Sequence, residues 1–113
     1  MATIQEKEAL KEVRNIRKKM ILTENPLEIE THINSIIKIV SSLPIKEVSP
    51  VLVQMKQDGI KQIINLLRCE LKLLKDDHVL DIGYFQVQIG KTIFMLCEYI
   101  INDTNYVLKA FAA

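Results

Sequence analysis

The chain contains no tryptophan, and glycine, proline, phenylalanine and tyrosine each occur only three times. So few glycines and prolines leave little material for tight turns, which argues against a sandwich or barrel of many short strands. Isoleucine and leucine dominate the hydrophobic residues, which make up 49% of the chain. This content argues against a disordered chain, and its aliphatic character is typical of packed helices.

Cysteine and histidine are also scarce, with two of each. Cys69 and Cys97 lie in apolar stretches and form no CxxC or Cys/His cluster, so the sequence offers no ligand set for structural zinc. We interpret both as reduced, buried thiols of an intracellular protein. No apolar run approaches the ~20 residues of a membrane-spanning helix, and the charged N-terminus is unlike a signal peptide. We therefore expect no membrane span.

Charge of one sign is not in excess, because 15 basic residues balance 14 acidic ones. A duplex-binding domain normally has a strong basic excess, so nucleic acid is not the expected partner. One basic cluster lies near the N-terminus: Lys7, Lys11, Arg14, Arg17, Lys18 and Lys19. It is typical of a solvated helix face. The alternative is a contact for an acidic protein segment, an anionic membrane or a nucleic acid, although no aromatic residue interleaves with these charges.

Apolar residues recur at three- and four-residue spacing along most of the chain, which predicts helices. The predicted helices cover about 4–22, 26–42, 50–57, 60 to the polar break at 75–78, and 79–101. A short final helix is expected after Asp103 or Thr104. No long alternating pattern indicates a strand.

Local signals set the predicted helix boundaries. Asn25-Pro26 and Ser49-Pro50 each combine a capping residue with proline in the first helical turn. Pro44 disfavours helical geometry at the preceding residue, so the second helix should end just before it. Asp58-Gly59 is a turn signal that separates the predicted third and fourth helices. We expect residues 1–113 to form one all-α domain, cut from a longer protein.

Motifs that would carry chemistry are incomplete. Gly90-Lys91-Thr92 suggests a phosphate loop, but that loop needs glycine where Phe85 stands and should follow a strand. Asp77, His78 and Asp81 suggest a metal or acid–base cluster, but the acids more simply cap the fifth helix. The sequence therefore predicts a chain that is not an enzyme and has no metal or cofactor.

The stretch from Asn34 to Arg68 resembles the N-terminal domain of the elongation factor TFIIS and its relatives. These relatives include Mediator and IWS-type domains and the integrase-binding domain of lens epithelium-derived growth factor. The family pattern is an apolar helix ending in Leu-Pro-Ile, a short helix containing leucine, a Gly-Ile pair and an apolar helix ending near arginine. Here the pattern occurs as Leu43-Pro44-Ile45, Val51-Leu52, Gly59-Ile60 and Leu66-Leu67-Arg68.

The resemblance implies a compact right-handed bundle of about five helices plus a short C-terminal helix. It also implies a non-catalytic domain, nuclear rather than cytoplasmic, that binds short disordered motifs of transcription or chromatin proteins across two interhelical loops. By position these loops are 23–26 and 68–77. The implied partner-binding residues are Thr23, Glu24, Asn25, Arg68, Leu71, Leu73, Leu74 and Lys75.

Two details refine this expectation. One core stripe does not need all three of the leucines Leu71, Leu73 and Leu74, so one of them is expected to be exposed. For Leu73 two alternatives are open: exposure to solvent, or burial by the fifth helix. Glu24-Asn25 stands where the integrase-binding relative has an isoleucine-aspartate pair, so that relative's partner preference should not transfer. The alternative function is an armadillo- or HEAT-like scaffold subunit that packs against a folded partner in a constitutive complex.

Overall fold

The computed structural model describes residues 4–45, 49–76 and 79–101. They form four α-helices: α1 (Ile4–Leu22), α2 (Pro26–Ser41), α3 (Pro50–Lys75) and α4 (Ile82–Ile101). No strand occurs within these three ranges. The predicted all-α class is therefore confirmed for the part of the chain that the structure covers.

The helices form a ring in which each one packs against two neighbours. Helix α1 packs on α2 and α4, and α3 packs on the same two helices from the opposite corner. Helices α3 and α4 are antiparallel, because Gly59 lies against Tyr99 and Glu70 against Thr92. Helices α1 and α4 are antiparallel as well, because Gln86 contacts Met20 and Gly90 contacts Arg17. This up-and-down order is typical of four-helix bundles with short connections. It brings the first and last described helices into direct contact.

The predicted break at Asp58-Gly59 is wrong, because α3 runs through this pair without interruption. Asp58 stays in the helix and accepts a hydrogen bond from Gln54 Nε2 at 2.8 Å. Gly59 is buried, and its missing side chain makes room for the ring of Tyr99 from α4. The predicted third and fourth helices are thus one helix, which reduces the expected five to four. The predicted short final helix lies outside the described residues.

The capping signals behave as the sequence predicts. Asn25 Oδ1 accepts from the backbone N–H of Leu27 at 2.9 Å, and Ser49 Oγ accepts from that of Leu52 at 3.3 Å. Helix α4 begins three residues later than predicted because Asp81 is its cap, with Oδ1 accepting from the backbone N–H of residue 84 at 3.1 Å. These bonds satisfy N–H groups that a helix start otherwise leaves unpaired.

The core is almost entirely aliphatic, with isoleucines and leucines from all four helices. Of the two thiols predicted to be buried, Cys97 is only 2% exposed and belongs to this core. The prediction for Cys69 is wrong, because its position on α3 is exposed. Over the described ranges, none of the helices combines the length and the apolarity needed to cross a membrane.

Candidate functional site

The two predicted loops lie at the same end of the bundle. Lys75 Nζ, at the end of α3, is 3.6 Å from Glu30 Oε1, which is one turn into α2. Gln86, in the first turns of α4, reaches the backbone of residues 20–23 at the end of α1. We call this end of the molecule the turn end and define it by residues 19–30, 68–76 and 79–86.

The α1–α2 turn contains several hydrogen bonds made by its own polar side chains. The hydroxyl of Thr23 donates to the Glu28 carboxylate and accepts from the backbone N–H of Asn25 at 3.2 Å. Asn25 in turn caps α2. Three of the predicted partner-binding residues lie in this turn. Thr23 and Asn25 form its hydrogen bonds, and Glu24 is exposed to solvent.

Gln86 fastens this turn to α4 and was not identified from the sequence. Its side chain is buried, and Nε2 donates to the carbonyl oxygens of Met20 at 2.9 Å and Ile21 at 3.4 Å, and also to that of Thr23. These carbonyls belong to the last turn of α1 and to the turn beyond it, where intrahelical donors run out. The sequence did contain one signal for this role. Gln86 is a polar residue at a position of α4 where the helical spacing predicts burial.

A groove of about 550 Å³ lies beside the α1–α2 turn. Its rim carries two leucines that face solvent: Leu22 is 85% exposed and Leu27 is 73% exposed. The lining consists of Lys19, Leu22, Thr23, Leu27, Glu28, Thr31 and His32. This groove was not predicted from the sequence, although both leucines fall outside the buried stripes of their helices.

The three leucines after Arg68 do not share one environment. Leu71 and Leu74 are 7% and 8% exposed and lie in the core, so their assignment to a partner-binding surface is corrected. Leu73 is 52% exposed, one of the two outcomes expected for it. It follows Glu70 by three residues and so shares its side of α3. That side faces α4, since Glu70 accepts a hydrogen bond from Thr92 at 2.9 Å.

Arg68 and Lys75 lie on the other side of α3, toward α2. Both are exposed, and together with Lys72 they border a cavity of about 360 Å³ whose lining also includes Leu71 and Asp76. The predicted set thus divides between two faces. Arg68 and Lys75 share the α2 side of the turn end, and Leu73 belongs to the seam between α3 and α4.

Among the residues described, three titratable groups have shifted pKa values, and packing between helices explains each shift. Burial raises the pKa of Glu70, which the hydrogen bond from Thr92 opposes. Burial also raises the pKa of the Cys97 thiol, against the positive charges of Arg14 and Arg17. For Tyr99, burial and then the nearby carboxylate of Asp58 raise the pKa of the phenol.

Two motifs suggested chemistry from the sequence: the Asp77, His78 and Asp81 cluster and Gly90-Lys91-Thr92. No group of three or more potential metal ligands occurs among the residues described. Asp77 and His78 of the predicted cluster lie outside those residues, and Asp81 caps α4. Gly90 lies inside α4, where its carbonyl oxygen accepts from Arg17 Nε at 3.0 Å. The predicted helical interpretation of Gly90-Lys91-Thr92 is therefore confirmed.

Comparison of the chain with protein-family models, curated proteins and solved structures finds no match. The resemblance to the TFIIS N-terminal domain therefore stays a prediction from the sequence.

Proposed function

We propose that this chain is a non-catalytic protein-interaction domain that binds short disordered segments of partner proteins at the turn end. One observation carries the proposal: Leu22 and Leu27 are largely exposed on the rim of a groove, beside a turn that Thr23 and Asn25 stabilise by hydrogen bonds. Exposed apolar side chains grouped at a concave surface are typical of binding sites. A preformed turn also reduces the conformational entropy lost on binding.

The proposed mode places apolar side chains of the partner in the groove between the two leucines. Acidic residues flanking that motif would pair with Lys19 on the groove rim and with Arg68 or Lys75 on the neighbouring side of the turn end. The finer assignment is also part of the proposal: a right-handed bundle of the TFIIS N-terminal type, acting in transcription or chromatin regulation in the nucleus. Its support is the sequence pattern around Leu43-Pro44-Ile45.

Titration of the isotope-labelled chain with a panel of acidic-aromatic disordered peptides tests this proposal. We expect amide shifts at residues 22–27, and at least about tenfold weaker binding for the double variant Leu22→Ser, Leu27→Ser. The matched control is Leu66→Ser, an exposed leucine in the middle of α3. If no peptide shifts the turn amides, or if the control weakens binding equally, the proposal is wrong.

The scaffold alternative is favoured by a different set of exposed apolar residues. The exposed residues are Leu66, Leu73 and Met95. Leu66 and Leu73 lie one turn on either side of Glu70, and Met95 lies one turn beyond Thr92, which donates a hydrogen bond to Glu70. They form an apolar strip along the seam between α3 and α4, of the kind that a folded partner covers in a constitutive complex. This alternative predicts concentration-dependent association of the isolated chain, which Leu66→Ser would weaken and the turn variant would not. Light scattering measures the difference.

A further inference from the structure

A groove follows α3 along the side that faces α2. It consists of three cavities in a row, of about 260, 300 and 360 Å³. The first and second share Ser41, Lys61 and Ile64 in their linings, and the second and third share Arg68. The cavities therefore adjoin one another along α3. We call them the α2–α3 groove, with a lining of Val40, Ser41, Leu43, Ile45, Gln57, Ile60, Lys61, Ile64, Asn65, Arg68, Leu71, Lys72, Lys75 and Asp76.

Unequal helix lengths open this groove. Helix α3 has 26 residues and α2 only 16. With Glu30 beside Lys75 and Ser41 beside Ile64, the N-terminal part of α3 continues past the end of α2. Among the described residues, the segment that leaves α2, with partly buried Leu43 and Ile45, lies beside it there. Within that part of the chain, the seam is covered on its inner side, and its outer side carries the three cavities.

The chemistry of the groove is apolar on the floor and basic on one rim. Partly buried Leu43 and Ile45 supply the floor, together with the narrow exposed edges of the core residues Ile60 and Ile64. The rim consists of exposed Lys61, Arg68, Lys72 and Lys75. Their spacing of seven, four and three residues places them on one face of α3 over about 21 Å. The acidic lining residue is Asp76, at the turn end.

We propose that the α2–α3 groove binds an acidic amphipathic helix of a partner protein. The apolar face of that helix would lie on the isoleucine and leucine floor, and its carboxylates would pair with the basic rim. This inference rests on the proposed function, because it names the partner chemistry. It shares Arg68 and Lys75 with that proposal, but its apolar floor is separate from the groove at Leu22 and Leu27. Docking of an amphipathic helix in an apolar groove is a recurring recognition mode.

Charge and shape both favour this occupant. Rim charges at one- and two-turn intervals match carboxylates spaced four and seven residues apart on one face of a bound helix. A single-stranded nucleic acid would also meet the basic charges. However, the lining residues of this groove include no aromatic ring on which bases stack, and the apolar floor offers nothing to a phosphate backbone.

The test uses a labelled synthetic peptide of about 18 residues, with leucines on one helical face and glutamates flanking it. We expect fluorescence anisotropy to show binding, and amide shifts at Ser41, Lys61 and Ile64. The double variant Arg68→Glu, Lys72→Glu should weaken binding by at least about tenfold. The double variant Lys11→Glu, Lys18→Glu is the control, because it makes the same charge change on exposed positions of α1. It should weaken binding less than about twofold.

Several outcomes overturn the inference. Equal loss in both charge variants would mean nonspecific attraction. A single-stranded oligonucleotide that displaces the peptide would identify nucleic acid as the ligand, and dimerisation that Arg68→Glu abolishes would identify a second copy of the chain. Shifts confined to residues 22–27 would overturn this inference but leave the proposed function standing. Shifts in the α2–α3 groove without any at residues 22–27 would support this inference and overturn the binding site given in the proposed function. Circular dichroism and thermal unfolding confirm that each variant is folded.

Discussion

Tyr99 of α4 lies directly against Gly59 of α3, with its hydroxyl donating to the Met55 carbonyl oxygen at 3.5 Å. Both residues are buried. A Cβ at position 59 would overlap the phenol oxygen and the ring carbon that bears it. The glycine is therefore required by the packing of α4 and not by a turn in α3.

This packing makes an alanine at position 59 destabilising. Alanine gains up to about 1 kcal/mol of helix propensity over glycine, but displacing a buried ring costs about 1–3 kcal/mol. We expect Gly59→Ala to lower the free energy of unfolding in urea. Gly90→Ala is the matched control, because its Cβ would lie 3.5 Å from Arg17 Nε, an ordinary contact. It should be neutral or stabilising, and equal signs for the two variants would contradict the assignment.

Removal of the Gln86 amide should leave the end of α1 without its donor. We expect Gln86→Leu to lower the free energy of unfolding by about 1–3 kcal/mol, because the buried carbonyl oxygen of Met20 loses its partner. Gln88→Leu changes a partly exposed amide on the same helix and should have an effect within about 0.5 kcal/mol. Urea unfolding measures both. Similar losses of unfolding free energy in the two variants would show that the hydrogen bonds of Gln86 give no special stability.

Glu70 should make stability depend on pH. Burial raises its folded pKa above the ordinary 4.5, so the folded state holds the proton more tightly than the unfolded state. Stability from this group is therefore full at acid pH and is lost as pH rises through the folded pKa. We expect Glu70→Gln to stabilise the chain at neutral pH and to change little below the ordinary value. An equal effect at both pH values in urea unfolding would count against this explanation.

The two thiols should differ in reactivity. Cys69 is exposed, whereas Cys97 is buried and burial raises its pKa, which disfavours the reactive thiolate. A disulfide reagent such as Ellman's should modify one thiol quickly in the native chain and the second only on unfolding. Cys69→Ser should remove the fast phase. Survival of that phase in this variant would show that Cys97 is accessible.

The parts of the fold that local chemistry determines were predictable. Asn25-Pro26 and Ser49-Pro50 mark helix starts because capping requires only neighbouring residues. Asp58-Gly59 misled because its turn signal competes with a ring forty residues further along the chain. No local pattern reports such a contact.

The two loops implied by the resemblance lie at one end of the bundle because α3 is a single helix, a feature that the sequence did not predict. That they bind a partner stays a prediction. Which leucine faces solvent depends on where α4 packs, so Leu71 and Leu74 were wrongly assigned to a surface. Leu22 and Leu27 were missed because a leucine near a helix end fits a buried or an exposed position equally well.

The contact between Gln86 and the end of α1 has a consequence for how the chain acquires its structure. The donor lies more than sixty residues after the carbonyls that it satisfies. During synthesis, α1 leaves the ribosome long before α4 exists, and its last turn must remain frayed or hydrated until then. The ring of helices is consequently completed late. A fragment that ends before α4 should not keep the α1–α2 turn in its native conformation.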